Sequence, residues 1–420
     1  MRILYIHQYF NTPQKSGGTR SYDLASQFVT NGHQVTLITA TRQKFDLPNK
    51  KRWQIINIDG IEVHALRNDY SNKMSALRRI ISFLEFTAFS SIHILKLKAD
   101  VILATSTPLS VAIPALIKKW LHKTPFIFEV RDIWPEAPIA LGIIKGKMAI
   151  KTSCWFEQYI YKNAAAIVAL STDMKTSIIK RCKQVPEITV IPNISEVNRF
   201  ESARNSNSIK NLPSKKIVLY AGSVAMVNNI EYVVKLAEVL LPMDSSIVFH
   251  IYSTGKGNRF EAVKSMAIEK GLMGVNFFLK DAVSKNELTG IYRECSAGSS
   301  FVANIPALWA NSANKFFDTL AAGKPIIINH EGWQAEEIRK HNIGFVLDSN
   351  EDNLERTAKD FADYLNNKAL LILQGQNAYN LAKEKYSLTI AVANYEKIFK
   401  KIIKPGKENP VTGRIHTPAT

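Results

Sequence analysis

The stretch Arg2-Ile3-Leu4-Tyr5-Ile6-His7-Gln8-Tyr9-Phe10, running through Gly17-Gly18-Thr19-Arg20 to Val35-Thr36-Leu37-Ile38-Thr39, decides the fold. Arg2–Ile6 is apolar almost throughout, as a strand covered on both faces must be. Gly18–Asn31 then places Tyr22, Leu24, Ala25 and Phe28 at helical spacing before the second β-branched run. Strand, helix and strand in under forty residues make a βαβ unit, whose two strands lie parallel.

The same alternation continues outward. Ile61–Leu66, Val101–Ala104, Phe126–Val130, Ala166–Leu170 and Ile188–Ile191 read as strands, with helices at Leu109–Leu121 and Met148–Lys162. Ser195–Lys216 breaks the pattern: it is rich in Ser, Asn, Lys and Glu, contains Pro213 and has no apolar period. A second set follows, with strands at Ile217–Ala221, Ile247–Tyr252, Val275–Leu279, Ser299–Val302, Pro325–Ile328 and Phe345–Leu347. Helices fit Ile230–Leu241, Arg259–Glu269, Asn314–Ala322, Leu354–Leu365 and Leu388–Ile403. The expected fold is α/β, two doubly wound Rossmann-like domains facing a central cleft. The expected division is a first domain over 1–196, a linker over 197–215, a second domain over 216–386, a C-terminal helix over 387–403 and a disordered tail over 404–420.

Of the 420 residues, 46% are hydrophobic and 21% charged, a globular composition that excludes disordered and collagen-like classes. No apolar run reaches the roughly 18 residues a membrane-spanning helix needs. The N-terminus reads as a core strand and not as a signal peptide. Cys154, Cys182 and Cys295 have no metal-ligand spacing and form no disulfide framework, which suits a reducing cytoplasm. The net charge is +18, and residues 1–200 hold a surplus of 13, from 27 Lys and Arg against 14 Asp and Glu. Such a surface favours an anionic partner: a phosphorylated ligand, an acidic membrane or nucleic acid.

Five stretches carry candidate chemistry. Gly17-Gly18, between a strand and a helix, is either a tight turn or a place where backbone amides meet an anion. It lacks the Gly-x-Gly-x-x-Gly dinucleotide spacing, which speaks against a dehydrogenase. Glu129-Val130-Arg131-Asp132-Ile133-Trp134-Pro135-Glu136 follows a buried strand, where this fold carries its functional loops. Its ionisable groups around a tryptophan suit sugar hydroxyls and ring stacking, or else tie the loop down. Gly222 and Ser223 end the first strand of the second domain, and Gly255-Lys256-Gly257-Asn258-Arg259 offers two cations at a helix start, a diphosphate clamp or a solvated turn. In Asn311-Ser312-Ala313-Asn314-Lys315-Phe316-Phe317-Asp318, running to Gly323-Lys324-Pro325, Asp318 is the polar residue of an apolar helix; a carboxylate there can accept from paired ribose hydroxyls. Finally, Lys73–Lys98 aligns Leu77, Ile80, Ile81, Leu84, Ala88, Ile92 and Leu95 on one face, beside Arg78, Arg79, Lys96 and Lys98. It is either a core helix or a basic helix lying in an anionic membrane surface.

Taken together, His7-Gln8-Tyr9-Phe10 leading to Gly17-Gly18-Thr19-Arg20 with Gly32-His33, Arg131-Asp132-Ile133-Trp134-Pro135-Glu136, and Asn314-Lys315-Phe316-Phe317-Asp318 running to Ala322-Gly323-Lys324-Pro325 resemble the GT-B glycosyltransferases of family 4. The branch they resemble builds bacterial O-antigen and capsule, including the N-acetyl-fucosamine transferases. The resemblance spans residue 1 to about residue 400. It implies retaining transfer of a sugar from a nucleotide-diphosphate donor, UDP-linked in the first instance. The acceptor it implies is undecaprenyl-diphosphate-linked, at an anionic inner-membrane surface. Gly17 and Gly18 would face the donor diphosphate; Arg131, Asp132 and Glu136 would line the acceptor side; Asp318 would be the ribose ligand. The C-terminal helix would cross back onto the first domain.

The chain departs from the family where its first glutamate falls at Ala310, so Asn311 or amides around Ser312–Asn314 would contact the sugar instead. Gly222–Asn229 also lacks Lys and Arg, which shifts phosphate neutralisation onto Lys256, Arg259 and Lys315. No Asp-x-Asp triplet occurs, and a metal-free, cofactor-free reaction is expected. The rival readings are a nucleotide-sugar 2-epimerase or hydrolase of the same shape, and a basic nucleic-acid-binding protein. The latter has no helix-turn-helix, zinc or RNA-binding signature, so nucleic acid is not an expected partner.

Overall fold

The computed structural model describes residues 1–40, 51–68, 76–204, 215–254 and 259–403. The first lobe contains β1 (Arg2–Ile6), α1 (Arg20–Thr30), β2 (Gln34–Ala40), β3 (Trp53–Ile58), β4 (Ile61–Leu66), α2 (Ala76–Leu95), β5 (Val101–Thr105) and α3 (Ala112–His122). It continues with β6 (Phe126–Val130), α4 (Glu136–Ala140), α5 (Lys147–Asn163), β7 (Ala166–Ala169), α6 (Thr172–Arg181) and β8 (Ile188–Val190). After α7 (Glu201–Arg204) the second lobe runs β9 (Lys216–Ala221), α8 (Ile230–Met243), β10 (Ile247–Ser253), α9 (Phe260–Glu269), β11 (Phe277–Asp281), α10 (Lys285–Glu294) and β12 (Ala297–Ser300). It ends with α11 (Pro306–Trp309), α12 (Asn314–Ala321), β13 (Ile326–Ile328), α13 (Trp333–His341), β14 (Gly344–Val346), α14 (Leu354–Asn366), α15 (Lys368–Lys385) and α16 (Leu388–Ile402).

The first sheet has the order β3-β4-β2-β1-β5-β6-β7-β8 and the second β11-β10-β9-β12-β13-β14. Pairing is parallel throughout except at β3, which lies antiparallel to β4 on the edge. Strand order reverses beside β1 in one sheet and beside β9 in the other, and an open parallel sheet places its ligand crevice at such a switch point. The loops after β1, β5, β6, β9 and β12 therefore converge between the lobes.

The chain crosses between lobes twice, and the crossings bind each other. Ser195 N donates to the Tyr386 carbonyl at 2.8 Å and Ser195 Oγ to the Phe317 carbonyl at 2.9 Å. Beyond the second crossing, α16 joins the core of the first lobe: Tyr395 and Phe399 are fully buried, and Phe399 meets Phe28 of α1 with ring centroids 5.4 Å apart. The stretch after Ser195 is packed as well as connecting, since Phe200 and Ala203 bury against Tyr292 of α10. Residues 205–214 of the expected linker, and the expected tail 404–420, lie outside the described residues.

Candidate active site

His7 opens the site at the end of β1. Its Nε2 accepts from Arg131 at 3.1 Å, so the ring proton sits on Nδ1 and points at Ser21 Oγ, 2.7 Å away. Arg131 leaves β6 with its amide donating to Ser106 Oγ at 2.9 Å, and Asp132 accepts from Thr107 Oγ1 at 2.6 Å. The base of this arrangement is rigid. Glu129, inside β6, holds Arg20 at 3.0 Å and accepts from Thr105 Oγ1 at 2.5 Å and from Tyr395 Oη. Burial pushes the Glu129 carboxyl up, but the Arg20 and Arg131 charges and the two hydroxyl donors outweigh it and hold it below the usual carboxylate range.

Gly17 has φ of +113°, a conformation that side chains rarely adopt. At Gly18 space decides: a Cβ there would lie 2.4 Å from the Asn314 amide of the other lobe. Across the cleft, a Cβ on Gly222 would approach Lys315 Cε to 2.9 Å. The two glycine sites thus bring backbone from each lobe against one helix, α12.

That helix presents Asn314, Lys315 and Asp318 to the cleft while Phe316, Phe317 and Leu320 enter a core cluster. Positions 314 and 318 are one turn apart, so one face lines the site. Ala313 offers no side-chain cap, which leaves the first turn of α12 open to an anion. Lys315 Nζ stands 4.7 Å from the Tyr220 ring centroid, and burial lowers the ammonium to about 8 although Asp318 pulls it back up. Asp318 is itself held by buried Lys285, the first residue of α10.

Loops of both lobes are fastened together around this face. Ser171 Oγ donates to the Ala310 carbonyl at 2.7 Å, Asn193 Nδ2 to the Ser312 carbonyl, and the Lys285 amide to the Lys15 carbonyl at 3.2 Å. The result is a cavity of about 630 Å³ between the lobes. Of the residues singled out from sequence, Gly17, Gly18, Arg131, Asp132, Gly222, Ser223, Asn311, Asn314, Lys315 and Asp318 line it.

Two expected residues do not. Glu136 turns to Arg181 and Ser177, because α6 carries both donors past the start of α4. Arg259 is half exposed and pairs with Glu231 of α8 at 2.5 Å, so its charge is spent outside the cleft. Lys256 lies outside the described residues. Sequence reasoning missed Lys285 and Lys15, which also line the cavity. The missed signal for Lys285 was the pair Ser284 and Glu287, a reciprocal cap that marks where α10 begins. Among the described residues no His, Cys, Asp and Glu cluster could hold a metal ion.

A smaller cavity of about 280 Å³ adjoins the first and shares Asp132 and Asn311 with it. Ile133, Trp134, Pro138, Leu141, Met174 and Leu308 make most of its wall apolar.

Comparison with known proteins agrees with this geometry. Residues 17–194 match the model of the glycosyl transferase 4-like domain, and residues 202–381 match that of glycosyl transferases group 1. The chain is a glycosyltransferase of the GT-B type. It is 24% identical over 295 residues to the "Putative colanic acid biosynthesis glycosyl transferase WcaI" of Escherichia coli (strain K12), covering 66% of this chain and 71% of that one. Sucrose-phosphate synthase from Thermosynechococcus elongatus superposes with a TM-score of 0.76 at 15% identity, over 96% of this glycosyltransferase and 98% of that chain. Anabaena Alr3699/HepE, solved in complex with UDP and glucose, superposes with a TM-score of 0.65 at 12% identity, over 96% and 100%.

Proposed function

We propose that this glycosyltransferase moves a sugar, an N-acetylated amino sugar such as N-acetyl-fucosamine, from a UDP-linked donor to an undecaprenyl-diphosphate-linked acceptor, with retention at the anomeric carbon. The observation that carries the donor half is that Lys15, Arg131 and Lys315 line the 630 Å³ cavity together with Gly17, Gly18 and Gly222. Negative charge builds on the departing diphosphate as the anomeric C–O bond breaks, and preorganised donors stabilise it most at that moment. These groups neutralise the pyrophosphate without a metal ion. The UDP and glucose bound in the Anabaena structure support a uridine donor.

Asp318 is the ribose ligand in this reading. Lys285 occupies Oδ2, and a carboxylate accepts at both oxygens. Tyr252, Val283 and Leu288 give the second lobe's part of the cavity apolar wall suited to a base. The acceptor hydroxyl enters beside Asp132, which Thr107 fixes, and attacks from the face the diphosphate leaves; the leaving phosphate oxygen takes the proton. Asp132 orients that hydroxyl.

Thermal shift over UDP-, GDP- and dTDP-sugars tests the donor side. The expected result is stabilisation by UDP-sugars above dTDP-sugars, which lack the ribose 2′-hydroxyl, with the gap narrowed in Asp318→Ala. Asp132→Asn should keep donor binding and lower kcat by about 100-fold or more, the scale of losing one positioning group. Near-native turnover in Asp132→Asn would remove it from the mechanism.

A further inference from the structure

We infer that the solvent side of the α2, α3 and α5 layer is a docking face for an anionic lipid bilayer, which brings the apolar end of the cleft to the membrane. The inference rests on the lipid-linked acceptor proposed above, and it starts from an inverted helix. The outward residues of α2 are Ile81, Leu84, Ala88 and Ile92, with Leu84 and Ile92 each 62% exposed. Its inward side takes Ser82, Thr87, Ser90 and Ser91 beside Phe86 and Ile94. Thr87 and Ser91 meet their needs on carbonyls one turn back, and Ser82 pairs with Asn68. The apolar stripe seen in the sequence therefore faces away from the core; the side chains of Leu77 and Ile80 lie outside the described residues.

The neighbouring helices extend this face. Lys118 of α3 ties to the Ile94 and Leu97 carbonyls at the end of α2, and Lys119 ties to the Asn163 carbonyl at the end of α5. Above these ties Trp120 approaches Tyr159 at 6.3 Å, and Tyr159 stacks on Trp155 at 5.5 Å. Trp120, Leu121 and Trp155 are exposed, as are Ile143 before α5 and Met148 in its first turn. Eight of the sixteen large apolar side chains exposed among the described residues belong to this one layer. Contiguous apolar surface of that kind marks an interaction site.

Charge selects the partner. Lys96, Lys98, Lys123, Lys145, Lys147 and Lys151 stand exposed around the apolar residues. In the described parts of α2, α3 and residues 141–163 the acids are Glu85 and Glu157, and Glu157 is buried on Arg181. A second copy would set lysines against lysines, which costs affinity, whereas an anionic bilayer offers apolar depth beneath negative headgroups. Indole rings at the rim suit that boundary. The path to the chemistry is short in the chain: Leu141 lines the small apolar cavity that meets Asp132, and Ile143 is 65% exposed two residues later. No helix among the described residues is long and apolar enough to cross a membrane, so the contact is one of lying on the surface.

The test floats the full chain with vesicles of phosphatidylglycerol and phosphatidylcholine, or of phosphatidylcholine alone. Flotation is expected with the anionic vesicles only and should weaken with salt. Brominated acyl chains should quench tryptophan emission, and Leu84→Ser with Ile92→Ser and Met148→Ser should abolish that quenching. Lys145→Gln with Lys147→Gln and Lys151→Gln should lower the partition coefficient about 100-fold, at roughly fivefold for each lost lysine. All six positions are exposed, so both variants should keep the wild-type melting temperature and transfer to a water-soluble acceptor in solution. Absence of flotation with anionic vesicles, flotation indifferent to salt and to both variants, or a soluble dimer that the variants dissociate would each overturn the docking face. Flotation with quenching but no transfer to any acceptor would uphold the docking face and overturn the glycosyl-transfer reading.

Discussion

Lys315 titrates within the working pH range because the protein removes water from its ammonium faster than Asp318 can compensate. Its value of about 8 lies below the roughly 10.4 of an unfolded lysine, so the folded state carries a cost of charging at low pH. That cost is fully present below about 8 and is relieved as pH rises toward the unfolded value. A bound diphosphate reverses the bias by favouring the charged form, and binding above pH 8 then takes up a proton. UDP-sugar affinity measured by calorimetry should accordingly hold steady below about pH 8 and fall above it, by up to tenfold per unit. Lys315→Gln should bind more weakly at pH 7 and lose this dependence. A wild-type profile still flat at pH 9 would take Lys315 out of the diphosphate site.

The buried pair of Arg20 and Glu129 belongs to the scale of elements, since it ties α1, β6 and α16 together. Arg20 also donates to the Ile191 carbonyl at 3.0 Å and to the Pro192 carbonyl at 2.5 Å, at the end of β8. Removing Arg20 leaves a buried carboxylate without its countercharge, so Arg20→Met should cost about 3–5 kcal/mol in denaturant unfolding. Tyr395→Phe removes one hydrogen bond to a charged acceptor and should cost about 1.5–3 kcal/mol. Because the folded Glu129 carboxyl is held low, its contribution is complete above the unfolded value of about 4.3 and disappears as pH falls through the folded one. Wild type should therefore lose stability below pH 4 more steeply than an Arg20→Met/Glu129→Leu variant.

The strands were legible at this scale because a parallel strand is an almost continuous apolar run, as in Arg2–Ile6 and Phe126–Val130, whose bounds the structure reproduces. β3 was not read, since Trp53–Ile58 shows no clean apolar alternation: Gln54 is buried while Ile55 is exposed on this edge strand. α13 and α15 also escaped: both are rich in polar residues, and their apolar positions do not form one clear stripe.

For the molecule as a whole, the placement of site residues was readable where they follow a strand or start a helix, because topology alone sends those positions to the cleft. Gly17, Asp132, Gly222 and Lys315 are of this kind. What sequence could not show was pairing across space. Glu136 sits as near the cleft in sequence as Asp132, yet Arg181 on α6 claims it, and Glu231 claims Arg259 in the same way. The inverted α2 is a further instance: its period is that of a core helix, and only the fold reveals which side of the stripe meets protein.

The two lobes are here joined through Gly18 and Asn314, Ser171 and Ala310, and Lys285 and Lys15, which encloses the 630 Å³ cavity from both sides. Exclusion of water from such a space is what separates transfer from hydrolysis. The most direct measurement is product analysis by mass spectrometry and NMR, with UDP-sugar and lipid-linked acceptor in excess EDTA. A new glycosidic bond of retained anomeric configuration, formed only when acceptor is present, is the result expected. Turnover that stops with EDTA, or rapid conversion of the donor with no acceptor in the tube, would contradict it.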